Sequence, residues 1–249
     1  MRRAHIPAGR GVDLAIPLDP HGQQPNAYGV PDATASPYSG EGFTLDTRVG
    51  GSCNCDVIEF TPHCNGTHTE SVGHITSERF PLTAVELPLF LTCSLVSVSP
   101  QGREIGAEAM GRATAPLAPD ALAALVVRTL PNDPSKRTRR WEDAATPYFT
   151  PDAVRVIRAG GVQHLLVDLP SLDPLYDGGK LAAHRVFWDV PPDSQELPAA
   201  DARNRTVTEM VFVPDDMPDG RYLLTIQVPR LVSDAVPSRP ILFHLDEGA

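Results

Sequence analysis

The sequence is poor in three things, and each shortage closes off a class of function. Cysteine is scarce, with four in 249 residues. Three of them (Cys53, Cys55 and Cys64) crowd together, whereas a secreted disulfide scaffold would spread them along the chain. Basic residues are scarce as well: 21 Lys and Arg stand against 31 Asp and Glu, a formal net charge of −10, which argues against a phosphate-backbone partner. Long apolar runs are missing. The longest, such as 87–91 and 121–127, fall far short of the roughly 20 residues that a membrane span needs. The basic start, Met1 to His5, is followed by no apolar stretch and does not read as a signal peptide. The expectation is a cytoplasmic protein with reduced or metal-bound thiols, no nucleic-acid partner and no membrane contact.

Proline is what the chain has in plenty. Twenty-six prolines, each lacking an N–H and holding φ fixed, cut the chain into short segments. That favours strands joined by ordered loops over a helical bundle. With 41% hydrophobic and 21% charged residues the composition is that of a globular protein. No repeat or linker divides it, so one domain over 1–249 is expected. A short strand at 12–18 and then a long loop are expected within the first fifty residues. Further strands are expected at 56–60, 89–98, 125–130, 164–169, 206–213, 222–228 and 242–245. A short helix is expected at 119–125. A better-marked one follows Thr150-Pro151-Asp152, a hydroxyl N-cap and a first-turn proline, and stops at Gly160-Gly161. Helix followed by strand over 150–169 points to α/β layering. The polar segment 132–143, with Lys136, Arg137, Arg139 and Arg140, reads as a solvated loop.

The chemistry is concentrated in one stretch. His63-Cys64-Asn65-Gly66-Thr67-His68-Thr69-Glu70-Ser71-Val72-Gly73-His74 holds three of the eight histidines, a thiol and a carboxylate. These are the side chains that bind Zn²⁺ or Mn²⁺. In an extended stretch His68 and Glu70 project to the same side, and Gly66 permits a tight turn that could bring an earlier ligand there. Cys53-x-Cys55 with Cys64 and His63 is a second candidate, a structural zinc site, at a spacing tighter than usual. His164 opens a strand and reads as a core or edge histidine. Trp188 follows His184 at helical spacing and reads as core. His5, His21 and His244 lie in terminal or loop segments with no visible partner.

Gly66-Thr67-His68-x-Glu70-x-x-x-His74 resembles the His-x-Gly-Thr-His-x-Asp-x-Pro-x-His signature of the cyclase-like metal-dependent hydrolases, the family that includes bacterial kynurenine formamidase and isatin hydrolase. The likeness extends to Asp13-Leu14 with Pro17, to Val167-Asp168-Leu169-Pro170-Ser171-Leu172-Asp173, and to His184 and Glu209. It implies an α/β fold, a mixed sheet curled into a barrel-like core with peripheral helices (the swivelling β/β/α arrangement). It implies one or two ions of Zn²⁺ or Mn²⁺, with His63, His68 and Glu70 on the first and Glu70, His184 and Glu209 on the second. His74 would be the general acid/base. Asp168 and Asp173 would brace loops and ligands, and Tyr28 would line the pocket.

Three positions depart from the signature: Glu70 stands for Asp, Val72 for Pro, and Cys64 aligns with the first His, while His63 lies one residue earlier. Strand parity favours Cys64 as the ligand. A bulge at Asn65-Gly66 favours His63, which keeps the imidazole. The activity implied is metal-dependent hydrolysis of an amide C–N bond, aryl-formamide or cyclic amide, in a small-molecule substrate by a homodimer or homotetramer. A lactonase or dehydratase using the same site and a non-catalytic metal-binding protein are the alternatives. Pocket specificity is expected from the loops at 19–50 and 131–148.

Overall fold

The computed structural model describes residues 11–117, 123–142 and 145–245. Its centre is a nine-stranded mixed sheet curled into a half-barrel. In chain order the strands are β1 (Val12–Asp13), β2 (His68–Glu70), β3 (Leu91–Val98), β4 (Ala124–Thr129) and β5 (His164–Val167), then β6 (Thr206–Glu209), β7 (Gly220–Gln227), β8 (Ala235–Pro237) and β9 (Arg239–His244). Across the sheet they run β1-β9-β7-β3-β4-β5-β6-β2-β8. β3 to β6 are parallel, and the flanking pairs are antiparallel.

Parallel neighbours cannot be joined by a tight turn, so their connections cross over through helices. These are α1 (Ala107–Thr114), α2 (Pro151–Ala159), and α3 (Ala182–Trp188) with α4 (Ala200–Arg203). α2 forms as expected. The Thr150 hydroxyl accepts the Ala153 N–H at 3.2 Å, Pro151 opens the first turn, and Gly161 leaves it at φ 86°. Every residue of β4 is buried, as strands covered on both faces must be. Leu125 and Val127 pack with Ile157, Phe187 and Trp188 on the helix side. Ala124 and Val126 pack with Leu14, Leu224 and Leu242 on the other.

Several expectations shift. The strand at 12–18 shortens to β1 and a single bridge at Ala15. The strand at 56–60 forms as Asp56–Glu59 but pairs with Thr34–Pro37, outside the main sheet. With Ser39–Gly40 against Phe43–Thr44, the long early loop becomes two small ribbons. The helix expected at 119–125 falls largely outside the described residues, as does His5, and Ala124 and Leu125 belong to β4. The basic segment is not wholly solvated. Lys136 is buried, and its ammonium donates to Thr129 O at 2.7 Å and Asp168 Oδ2 at 2.8 Å. An ammonium can be buried only where a counter-charge and acceptors surround it. Arg140 stays exposed and pairs with Asp32 at 2.6 Å. Among the described residues no helix is long and apolar enough to cross a membrane.

His164 opens β5 and is buried, with Nδ1 2.9 Å from Thr206 Oγ1. Burial pushes its pKa from 6.5 down to about 4. The folded protein therefore holds this proton less readily than the unfolded chain. Its stabilising contribution is complete above pH 6.5 and is lost as the pH falls through 6.5 towards about 4. A displacement of that size corresponds to about 3 kcal/mol. Urea unfolding across this window should show the decline, and His164→Asn should flatten it by about one proton's worth. An unchanged slope in the variant would place the decline elsewhere.

Candidate metal centre

β2 lies between β6 and β8, with His68 opposite Glu209 and Pro237, and Glu70 opposite Val207 and Ala235. Residues paired across antiparallel strands point to the same side. His68, Glu70 and Glu209 therefore share one face, the helix side to which Val207 also belongs. On the other face the Thr69 and Thr208 hydroxyls meet at 2.7 Å and hold the register. Gly66 adopts φ 80°, a conformation open to glycine at little cost. This turn breaks strand parity ahead of β2 and brings His63 to the face shared by His68 and Glu70. After β2 a 3₁₀ turn, Val72–His74, folds His74 back. It requires a glycine at 73, where a Cβ would meet the Phe80 carbonyl at 2.4 Å.

Glu209 ends β6, and the chain then bends at Met210, whose φ is 53°. That region costs a non-glycine residue on the order of 1 kcal/mol or more. The bend is held from two sides: the Met210 N–H donates to Leu169 O at 2.9 Å, and Thr67 Oγ1 donates to Met210 O at 2.5 Å. α3 supplies His184. This helix has no side-chain cap of its own. Asp173 replaces it, accepting the N–H groups of Ala183 (2.7 Å) and His184 (3.1 Å).

The side chains converge. His184 Nε2 lies 3.0 Å from Glu70 Oε1 and 3.4 Å from Glu209 Oε1. His68 Nε2 lies 3.5 Å from Glu209 Oε2, and His63 Nδ1 2.9 Å from Glu70 Oε2. Two sets, His63–His68–Glu70 and Glu70–His184–Glu209, have ligand atoms within 4.8 Å of one another, with Glu70 common to both. A third, His63–His74–Asp234, lies nearer the surface. The far nitrogen of each inner imidazole meets an acceptor. His63 Nε2 is 2.8 Å from Asp234 Oδ2, His68 Nδ1 is 3.0 Å from Gly66 O, and His184 Nδ1 is 2.6 Å from Asp173 Oδ2. Such an acceptor draws the proton to the far nitrogen and leaves the near one free to ligate.

Electrostatics point the same way. Burial alone would raise the Glu70 pKa, but His74, when its ring is protonated at low pH, and the bond to His184 hold it well below the usual carboxylate range. Burial alone would lower His63 and His184. The bond to Asp234 and the Glu70 carboxylate close by instead lift His63 to about 10, and the contacts with Asp173, Glu209 and Glu70 lift His184 well above its ordinary value. The buried carboxylates thus demand positive charge, which protons on these rings or a divalent cation can supply. Two buried atoms of the cluster, His68 Nε2 and Glu70 Oε2, have no hydrogen-bond partner; Glu209 Oε2 and His63 Nδ1 approach them to 3.5 and 2.9 Å as ion-pair contacts. Unpartnered buried polar atoms are costly. A cation would satisfy both, and the imidazole–carboxylate donor set suits Zn²⁺ or Mn²⁺. His74 differs: burial lowers its pKa, leaving a neutral ring with its centroid 4.1 Å from that of His63 and 5.6 Å from that of His184.

A cavity of about 630 Å³ opens on the cluster, lined by His63, His74, His184, Glu209 and Tyr28 among others. Tyr28 holds φ at 62°, and burial pushes its phenol up to about 12. The remaining wall comes from 170–181 (Pro170, Ser171, Leu175, Tyr176, Leu181). Among the described residues 131–148 contributes none of it, contrary to expectation, and 19–50 contributes only Tyr28. Cys64 lines the cavity as a neutral thiol, its pKa raised to about 11 by burial, and belongs to none of the ligand sets. Cys53 and Cys55 are exposed, so the cysteine-based zinc site does not assemble. Asp168 is taken up by Lys136 and Thr129, and Trp188 is core, its Nε1 donating to Arg205 O at 2.9 Å. Asp234 escaped the sequence reading. Its partner lies 171 residues away, and nothing local marks it.

A buried imidazole–carboxylate cluster at the C-terminal ends of parallel strands, open to a cavity, defines a candidate metal-centre protein of the α/β class. The chain belongs to the cyclase family: the Cyclase family model ("Putative cyclase") matches residues 12–174. It is similar to the kynurenine formamidase of Salinibacter ruber, 26% identical over 193 residues that cover 77% of this chain and 80% of that protein. In fold it is similar to isatin hydrolase A from Ralstonia solanacearum, with a TM-score of 0.66, 16% identity, and coverage of 94% of this chain and 91% of that one. Isatin hydrolase A from Labrenzia aggregata gives a TM-score of 0.64 at 16% identity, covering 94% and 93%.

Proposed function

We propose that this protein hydrolyses an amide C–N bond, in an aryl formamide or cyclic amide, at a centre of one or two Zn²⁺ or Mn²⁺ ions held by His63, His68, Glu70, His184 and Glu209. The observation that carries the reading is the pinning of three far ring nitrogens by Asp234, Gly66 and Asp173. A chance cluster of histidines has no need of it. The names of the relatives, kynurenine formamidase and isatin hydrolase, support the amide. When bound, the cation polarises the substrate carbonyl and brings the pKa of water to about 7. The remaining steps fall to the chain. Leu175, Leu181 and Pro170 give the cavity an apolar wall against the substrate's ring. His74, neutral and facing the same cavity, takes the proton of the attacking water and returns it to the leaving nitrogen.

The test is a panel of aryl formamides, cyclic amides and lactones offered to the Zn²⁺- or Mn²⁺-loaded protein. Tight metal with no turnover on any member would reduce the protein to a binding module. Turnover of lactones alone would move it to the lactonase alternative. Substitution separates the two contenders for the first ligand: His63→Ala should lose metal, and Cys64→Ser should keep it. The reverse pattern in elemental analysis would assign the thiol.

A further inference from the structure

We propose that Asp234 is a positioning residue of the metal centre, fixing His63 so that Nδ1 faces Glu70. This inference rests on the metal reading above. His63 lies on no strand or helix. It sits in a turn closed by the Cys64 and Asn65 N–H groups on Thr61 O, both at 2.9 Å, and its side chain is 24% exposed. Packing therefore leaves this imidazole more freedom than that of His68, which is wholly buried in β2.

Asp234 removes that freedom. Its Oδ2 lies 2.8 Å from His63 Nε2, on the side of the ring opposite the 2.9 Å approach of Nδ1 to Glu70 Oε2. The carboxylate is itself held in place. Asp234 immediately precedes β8, its carbonyl accepts the Ser71 N–H at 2.9 Å, and Ser233 Oγ is 3.4 Å from Oδ1. The arrangement matches the Asp173–His184 pair: each joins a carboxylate from another segment to the far nitrogen of an imidazole whose near nitrogen faces Glu70. Because the His63 and His74 rings lie 4.1 Å apart, fixing one also limits where the other can stand.

The probe is Co²⁺, whose visible bands report its ligands. Co²⁺-loaded wild type, Asp234→Ala, Asp234→Asn, His63→Ala and the double alanine variant are challenged with a graded chelator. Asp234→Ala should lose the ion about 10- to 100-fold more readily than wild type and shift the bands. Asp234→Asn, which keeps an acceptor oxygen and the shape, should hold the ion better than the alanine variant. Adding Asp234→Ala to His63→Ala should change nothing further in the Co²⁺ that the Glu70–His184–Glu209 set still holds. Wild-type retention by Asp234→Ala overturns the proposal, as does an equal loss in the His63→Ala background, which would make Asp234 act elsewhere, for example as a ligand of a cation at the rim. A wild type that takes up no Co²⁺ overturns the metal reading instead.

Discussion

Replacing His184 with alanine should remove at least one ion per chain and lower turnover by more than about 100-fold, since changes to outer-shell partners alone cost 10- to 100-fold. The ring touches both acids of the inner set, at 3.0 Å from Glu70 and 3.4 Å from Glu209. Without it two buried carboxylates face each other with one positive partner fewer. Asp173 still caps α3 through the backbone of residues 183 and 184, so the helix should persist and the loss should be local. Elemental analysis and circular dichroism on the same sample check both halves. A variant with its full metal content would place the cation outside the Glu70–His184–Glu209 set.

His74→Ala should behave differently. It belongs to neither inner set, so metal content should match wild type while kcat falls by about 10²- to 10⁴-fold, the usual worth of a positioned acid/base. The pH profile is the sharper readout. Burial already lowers the His74 pKa below 6.5, and a cation offsetting the Glu70 charge would remove a neighbour that raises it. In the proposed mechanism the base form is the active one. Activity should therefore rise with pH along an acid limb centred below 6.5 and level off above it, and the alanine variant should lack that limb. A limb that survives the substitution would give the proton transfer to another group.

The readable parts of this molecule were those with local signals. α2 announced itself through Thr150-Pro151 and Gly160-Gly161, and the shared side of His68 and Glu70 followed from strand alternation. α3 carried no such mark, because its cap comes from Asp173, ten residues earlier, and its first turn is entered from Leu181 at φ 48°. α1 is rich in helix formers but opens at Gly106 with no side-chain cap and carries Gly111 in its middle, so nothing local marks its bounds. The choice between His63 and Cys64 turned on Gly66, whose positive φ is permitted by the residue type but not dictated by it. Lys136 was misplaced because a buried ammonium is legible only once Asp168 is known to lie beside it. The cavity wall at 170–181 was missed for the same reason: which loop borders a site depends on strand order, not on composition.

The pairing of β2 also bears on how the protein is made. Thr69 meets Thr208 across 139 positions of chain, and the other edge of β2 is completed by residues 235–237. During synthesis the histidine-bearing segment emerges well ahead of both neighbours and must wait first for residues 206–209 and then for 235–237. At the proposed centre ion capture would therefore come late in biogenesis, and nascent chains stalled before Glu209 should hold a metal far more weakly than the folded protein.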